Sequence, residues 1–502
     1  MSSNSPVSPG PAPDYPATGI ALSDTGRPRI FSLDVIRGIA ILGILIISIW
    51  EFGGFTVNKQ TFFRTGTHGG NYNLLSLVTM IFEGKMRALF SLVFGAGIIL
   101  FISKKEHSSP VSYPDLYIRR MLWLMIFGVF NAVVLLFPGD ILFHYAALGI
   151  LLFPCWRMNR KALLIAALVA TLIYCGKLYW NYADDKKAYN KFLVVSKAEK
   201  LFVSADTATK QKIDSLLTIQ KNDPLSNTLI NDTLLKRYKA DTLTKQQKKD
   251  KQAWEGIAKS LKYDSAVDKN ENKAMRSTSY TKIWDHLLGK TQNRESYWLY
   301  RIGIWDIGSV MLLGMALLGF GFFEDRFPAK KYLLIAAPAI IIGLLLAWLR
   351  NHYLDLKMVD YAKYIDKNPV PYNQFFPIER LLLATGYAAF IMVMLRTKLL
   401  RWFWNTLATV GRMAFSNYFL QTILCTFFFY GYGLGFFGRM NQVQLYLVVM
   451  DIWLLQILFS VLWSRHFIMG PVEWLWRSLI YWKKLPLKKQ TTTVSEPATI
   501  IY

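Results

Sequence analysis

A chain in which one long apolar run follows another has few folds open to it. The first run, residues 27–50, reads RPRIFSLDVIRGIAILGILIISIW. About twenty apolar residues in a helix cross the hydrocarbon core, and a backbone inside that core must satisfy its own polar groups, as helices do. Further runs cover 85–103, 120–138, 140–156, 162–180, 300–323, 332–349, 377–395, 408–432 and 444–464. The expectation is an all-α polytopic membrane protein with about ten transmembrane helices. Hydrophobic residues make up 53% of the chain, and they gather into runs instead of alternating.

The formal net charge of +25 raises nucleic acid as a partner. The basic residues, however, sit in short loops between apolar runs and in one polar insertion, which is the positive-inside pattern. No nucleic acid is expected; the bilayer is. Basic clusters follow the second run (Lys104, Lys105, Arg119, Arg120), the fourth (Arg157, Arg160, Lys161) and the sixth (Arg326, Lys330, Lys331). Others follow the eighth (Arg396, Lys398, Arg401) and the tenth (Lys483, Lys484, Lys488, Lys489), and Arg27 and Arg29 precede the first. Ten spans put all six clusters on one side, which is the cytoplasmic side.

Residues 1–29 then form a disordered cytoplasmic tail, and 30–181 hold the first five helices. Residues 182–298 form a polar, mostly helical extracytoplasmic insertion, either a solvated spacer or a binding lid. Residues 299–481 hold helices six to ten and a C-terminal interfacial helix, and 482–502 form a basic cytoplasmic tail. The stretch 51–82 reads as a loop ending in a short interfacial helix, LLSLVTMIF. No cleavable signal peptide is evident, because the first apolar run is too long for one. Cys155, Cys175 and Cys425 have neither disulfide nor metal-ligand spacing.

Ionisable and amide groups inside spans are the candidates for function. Asp34 and Arg37, three apart, share a helix face at the mouth of the first span, with Arg412 on the same side. Lys85 and Arg87 open the second span beside Glu83, and Asp140 and His144 open the fourth, one helical turn apart. That pair reads as a carboxylate-oriented imidazole able to act as a general base, or as an interfacial hydrogen-bonder. Asp306, Glu379, Arg380 and Asp451 complete the outer set. Ser48, Asn131, Asn417 and Gln421 lie between, as helix glue or as the lining of a polar path. In GPVEWLWR, Glu473, Trp474 and Arg477 read as an interfacial anchor or as a gate at the cytoplasmic end.

The segments LDVIRGIAILGIL, EGKMRALFSLVFGAG, GDILFHYAALGILL, GRMAFSNYFLQT and GPVEWLWR together resemble the YeiB-like bacterial inner-membrane proteins, a family of unassigned function. The resemblance runs from about 30 to 481, with the insertion standing apart. It is distantly similar to transmembrane acyltransferases of the acyltransferase-3 and heparan-glucosaminide acetyltransferase type. That grouping implies a core of helices moving an acyl group from a cytoplasmic donor to an extracytoplasmic or lipid acceptor. It makes Arg37 and Arg412 donor-facing, and Asp140, His144 and Ser48 catalytic. Lys85, Arg87, Asn131, Asn417 and Gln421 would line the path. Acyl-CoA is the implied co-substrate, with no tightly bound cofactor. The pattern departs in helix one, where an Arg followed after ten residues by a His is expected: counting from Arg37 lands on Ser48. A second expected His is Asn131. A transporter and a non-catalytic scaffold are the competing readings.

Overall fold

The computed structural model describes residues 30–59, 62–63, 69–105, 113–222, 245–261, 263–367, 371–397 and 400–489. The expected tail at 1–29 and the end of the C-terminal tail, 490–502, lie outside them, as does 223–244 of the insertion. The described residues form helices and no β-strand beyond one isolated bridge, Phe467 to Lys488. Eight helices are long and apolar enough to cross a membrane by length and composition. Two shorter apolar helices, Leu142–Arg157 and Ala414–Phe429, lie among them.

The core is built on α1 (Phe31–Phe52), whose apolar residues recur on every face. A helix apolar all round belongs inside other helices. Accordingly 72% of its apolar window is buried, against 22% for the peripheral span Arg160–Lys197, whose exposed Leu and Ile side chains form an apolar outer surface. Around α1 stand α2 (Gly70–Ile81), α3 (Lys85–Lys105), α4 (Tyr113–Val129) and α5 (Leu142–Leu152), then α6 (Arg160–Asn222). Small residues set the closest approaches. A Cβ on Gly95 would lie 2.1 Å from the Met311 carbonyl oxygen, and one on Gly314 would lie 2.0 Å from that of Leu92. These two glycines bring α3 against α10 (Ile304–Gly319).

Several sequence boundaries move. The third span begins at Tyr113, not 120, and ends in a π-helical turn, Phe130–Val134. The expected ninth span, 408–432, is two helices, α15 (Arg401–Arg412) and α16 (Ala414–Phe429), broken at Met413. The break follows from packing. A Cβ on Gly411 would lie 1.8 Å from the Asp34 carbonyl oxygen, so α15 meets α1 backbone to backbone, and α16 starts afresh under its own cap.

The largest correction concerns the insertion. Its expected edges at 182 and 298 are not breaks. Helix α6 runs unbroken for 63 residues from the apolar span into the polar region. At the other edge, α9 (Tyr280–Asn293) passes through a π-helical segment, Arg294–Gly303, directly into α10. Between them come α7 (Lys245–Leu261) and α8 (Ser265–Met275). Nor is the insertion a detached spacer. Tyr182 and Tyr189 of α6 and Trp254 of α7 form a second small core with Tyr364 and Ile365 of α13 (Tyr361–Lys367), a helix that follows α11 (Ala329–His352) and α12 (Leu354–Val359). Near α8 the Arg276 Nε donates to the Phe437 carbonyl oxygen at 2.7 Å, the Gly431 N–H donates to the Met275 carbonyl at 2.9 Å, and Asn272 bonds Asn58. The chain finishes with α14 (Phe376–Arg396), packed along α11, then α15, α16, α17 (Gln442–His466) and the amphipathic α18 (Pro471–Tyr481). Part of the expected C-terminal tail is ordered: Ile468 N–H donates to the Leu487 carbonyl at 2.9 Å, and Lys489 N–H to that of His466 at 3.0 Å.

Candidate functional site

The polar residues of the bundle sort by depth along α1, and Asp34 and Glu51 are about 25 Å apart at 1.5 Å per residue. The middle layer is structural. The Gln421 side-chain amide donates to the Ile41 carbonyl at 3.1 Å and to Gln456 Oε1 at 3.0 Å, while Gln456 donates to the Asn417 carbonyl at 2.8 Å. The Asn417 amide donates to Ser460 at 2.9 Å and to the Val410 carbonyl at 3.2 Å. All four are almost fully buried. These bonds tie α16 to α1 and α17, so the helix-glue reading of Asn417 and Gln421 is the one the geometry carries. Ser48 is half-buried on α1 and makes no side-chain hydrogen bond among the described residues.

At the Asp34 end, the Asp34–Arg37 ion pair forms at 3.2 Å, and Arg412 donates to Thr409 Oγ1 at 2.8 Å. Arg120 of α4 lies between the Phe101 and Trp476 rings, at 4.8 and 4.7 Å, and its strongest electrostatic neighbours among cations are Arg477 and Arg37. Three guanidinium groups from distant parts of the chain thus gather at one face. Glu473 is not their gate. Its Oε1 accepts the Phe415 and Ser416 N–H groups at 2.8 and 3.1 Å, and its Oε2 accepts the Ser416 hydroxyl. It caps the N-terminus of α16, where a carboxylate meets unpaired N–H groups and the positive helix end. Burial pushes its carboxyl above the usual range, and the bonds from Ser416 and Phe415 pull the other way. Trp474 donates to the Leu485 carbonyl at 2.8 Å and anchors the returning chain, as an interfacial anchor would.

The opposite end holds two buried ionic clusters. In the first, Glu379 is shared by Lys85 at 2.5 Å and Arg350 at 2.9 Å, and Arg350 also reaches Glu83 at 3.1 Å. In the second, Asp306 is shared by Arg87 at 3.1 Å and by Arg380. Beside it Trp298 carries the Arg294 guanidinium 3.9 Å from its ring centre, that of Arg87 at 5.6 Å, and the His144 ring edge-on at 5.0 Å.

Asp140 and His144 do not form the expected dyad. Asp140 Oδ1 accepts from the Asn131 amide at 2.8 Å and the Tyr418 hydroxyl at 3.2 Å, and its Oδ2 accepts the Phe143 N–H at 3.1 Å. The carboxylate therefore serves its own turn and α16. His144 instead sets Nε2 3.1 Å from the Arg294 carbonyl oxygen. A carbonyl only accepts, so Nε2 bears the hydrogen in the neutral ring. Nδ1 is buried with no partner at strict hydrogen-bond geometry among the described residues, and the Asp140 backbone is the other polar neighbour of the ring. Of the ten buried side-chain atoms without a hydrogen-bond partner among the described residues, six belong to this neighbourhood: Asn131 Oδ1, His144 Nδ1, Arg294 Nε, Glu295 Oε1, Arg380 Nε and Asp306 Oδ1, the last ion-paired with Arg380. Both π-helical segments flank it, and such segments recur at functional sites.

Sequence reasoning did not name Arg294, Glu295, Trp298, Arg350, Tyr418 or Glu51. Arg294, Glu295 and Trp298 fell inside the stretch read as an external insertion, and Arg350 just past a span edge. A concavity of about 390 Å³ lies apart from both ends, beside Tyr182, Lys186 and Lys187 of the extended α6 and Pro371.

Residues 317–483 match the family described as Protein of unknown function (DUF418). Over 473 residues the chain is 26% identical to the Uncharacterized protein YxaH of Bacillus subtilis (strain 168), covering 92% of this chain and 97% of that protein. It is 26% identical over 474 residues to the Uncharacterized protein YeiB of Escherichia coli (strain K12), covering 90% and 96%. No solved structure matches. The similarity to YxaH and YeiB thus spans nearly the whole chain, and the family match covers residues 317–483, which together support a likeness to a YeiB-like family.

Proposed function

We propose that this protein is a membrane-embedded acyl-transfer protein of the bacterial inner membrane. It takes an anionic donor of the acyl-CoA class at the Arg37, Arg120 and Arg477 face, which is then cytoplasmic. The gathering of those three guanidiniums carries the reading. Like charges brought together at a partly dry surface cost free energy that a polyanionic ligand offsets, and phosphates are the groups arginine recognises best. The acceptor is hydroxyl-bearing and enters from the insertion side. Its oxygen attacks the thioester carbon, the carbon–sulfur bond breaks, the hydroxyl proton passes to a base, for which the His144 ring is the candidate, and the thiolate leaves on the donor side and takes up a proton to become the free thiol. Ser48, one turn before Glu51 on α1, stands on the way between the two ends. Purified protein in liposomes, given labelled acetyl-CoA and membrane lipid extract, should transfer label, and Arg120→Gln should weaken use of the donor. No transfer by the unaltered protein, or transfer indifferent to Arg120→Gln, refutes the assignment.

Transport is the second reading, favoured by the helix break at Met413 and by the π-helical segment Arg294–Gly303 between α9 and α10. Such interruptions line substrate paths in many transporters. Uptake or efflux by sealed proteoliposomes without acyl donor would select it.

A further inference from the structure

The Arg294 neighbourhood contains a cationic site that the acyl-transfer reading does not use. Three guanidiniums, those of Arg87, Arg294 and Arg380, lie around Trp298 and Asp306, and the ion pairs of Arg87 and Arg380 share that single carboxylate. Arg294 makes no ion pair among the described residues, and its Nε is buried without a hydrogen-bond partner. Arg87, Glu51 and Asp140 are among its electrostatic neighbours. Asp140 is no substitute for a direct partner, because its oxygens are taken by Asn131, Tyr418 and the Phe143 N–H. The Arg87 side chain is 25% exposed, so the group is reachable.

We propose that Arg294 and Arg87, held against Trp298, bind a phosphate group entering from the insertion side. A phosphate fits better than a carboxylate, since its oxygens can engage two separate guanidinium forks at once, whereas a carboxylate is filled by one. Two sources present the same chemistry, a phospholipid headgroup and a soluble phosphate. Glu295, next in the chain and with Oε1 buried and unpartnered, opposes an anion and limits its affinity.

The test uses the full-length protein in a neutral glycoside detergent, with inorganic phosphate titrated and heat released or thermal stability followed. Saturable binding is expected. Arg294→Gln should weaken it about tenfold or more, the weight of a charge-assisted hydrogen bond. Arg294→Lys should fall between, which keeps the test valid if the glutamine variant folds poorly. Glu295→Gln should tighten binding. Repeating the titration in Arg120→Gln removes the proposed donor face as a second phosphate site, and the Arg294-dependent part of the binding should persist there, so failure of the donor reading would not alter it. Native mass spectrometry of protein extracted with phospholipid present assigns the source: lipid retained by the unaltered protein and lost in Arg294→Gln indicates a headgroup, and phosphate binding without retained lipid indicates a soluble ligand. Absence of both saturable phosphate binding and Arg294-dependent lipid retention overturns the proposal. So does acetate binding as tightly as phosphate, or a folded Arg294→Gln variant that binds as the unaltered protein does.

Discussion

Replacing Glu379 by glutamine keeps the side-chain volume and removes a charge on which two buried cations depend. The Lys85 side chain is fully buried, that of Arg350 is 5% exposed and that of Glu379 is 1% exposed. In the variant Arg350 retains Glu83 at 3.1 Å, whereas Lys85 loses its ion-pair partner and keeps neutral acceptors such as the Thr79 carbonyl at 3.0 Å, with Glu83 a more distant charge. Removing one partner of a buried ion pair strands the other, at about 3–5 kcal/mol. Converting Lys85 to methionine as well removes the stranded charge, so Lys85→Met/Glu379→Gln should be more stable than the two single losses added together. The coupling expected for residues in one such network is about 0.5–3 kcal/mol. The measurement is denaturant unfolding in detergent followed by tryptophan fluorescence, with survival on a sizing column after heating as a second readout. A Glu379→Gln variant within about 0.5 kcal/mol of the unaltered protein, the range of ordinary surface changes, would refute the reasoning. Additive losses in the double variant would refute it as well.

Glu473→Gln should cost about 1 kcal/mol through the weakened cap on α16 at low pH, and the pH dependence has a definite sign. The Glu473 carboxyl titrates above its unfolded value in the folded protein. Its contribution is therefore fully present below about pH 4.3, the unfolded value, and is lost as pH rises through the folded value. Thermal stability measured across that window should fall for the unaltered protein relative to Glu473→Gln, and a constant difference contradicts this. Gly411→Ala should lose about 1–3 kcal/mol by overpacking, since its Cβ would lie 1.8 Å from the Asp34 oxygen. Gly97→Ala, with nothing within 4 Å, is the control, and equal stability of the two variants contradicts the close-contact account. Trp254→Ala should cost about 3–5 kcal/mol, felt locally. Hydrogen exchange should quicken in Tyr361–Lys367 and Tyr182–Tyr189 and stay slow in α1, and a uniform change would contradict a separate small core.

The sequence made the bundle legible because hydrocarbon imposes a constraint that can be counted. A run such as 332–349 has no other use for eighteen apolar residues, and α11 covers it. What escaped was set by tertiary contact. Nothing in the apolar run 408–432 marks Met413 as a break, since that depends on Gly411 meeting Asp34 and on Glu473, some sixty residues on, supplying a cap. The site was half legible. Lys85, Arg87, Asp140 and His144 stood out as charged or imidazole groups in apolar runs. Their partners did not, because pairing is three-dimensional: Arg350 reaches Glu83 across more than two hundred residues, and Asp140 prefers Asn131 and Tyr418 to the histidine one turn away.

The polar insertion misled for a related reason. Composition changes near 182 and 298, and composition is what a reading of the sequence can see, yet the helices run on through both points. At the second point the winding changes. A π-helical stretch carries more residues per turn than an α-helix. Side chains on either side of Arg294–Gly303 are therefore out of phase with the 3.6-residue period by which faces are read. Arg294 and Trp298 come to one ring contact, and Asp306 turns inward toward Arg87 and Arg380, without a common α-helical stripe to announce them. The same holds on α4, where Phe130–Val134 delivers Asn131 to Asp140. One segment ends α4 and the other joins α9 to α10, each departing from regular α-helical hydrogen bonding, and both do so at the same end of the bundle, around the buried polar atoms of the Arg294 neighbourhood. That coincidence, more than any single charged residue, is why the Arg294 end and not the amide layer is where a ligand is expected.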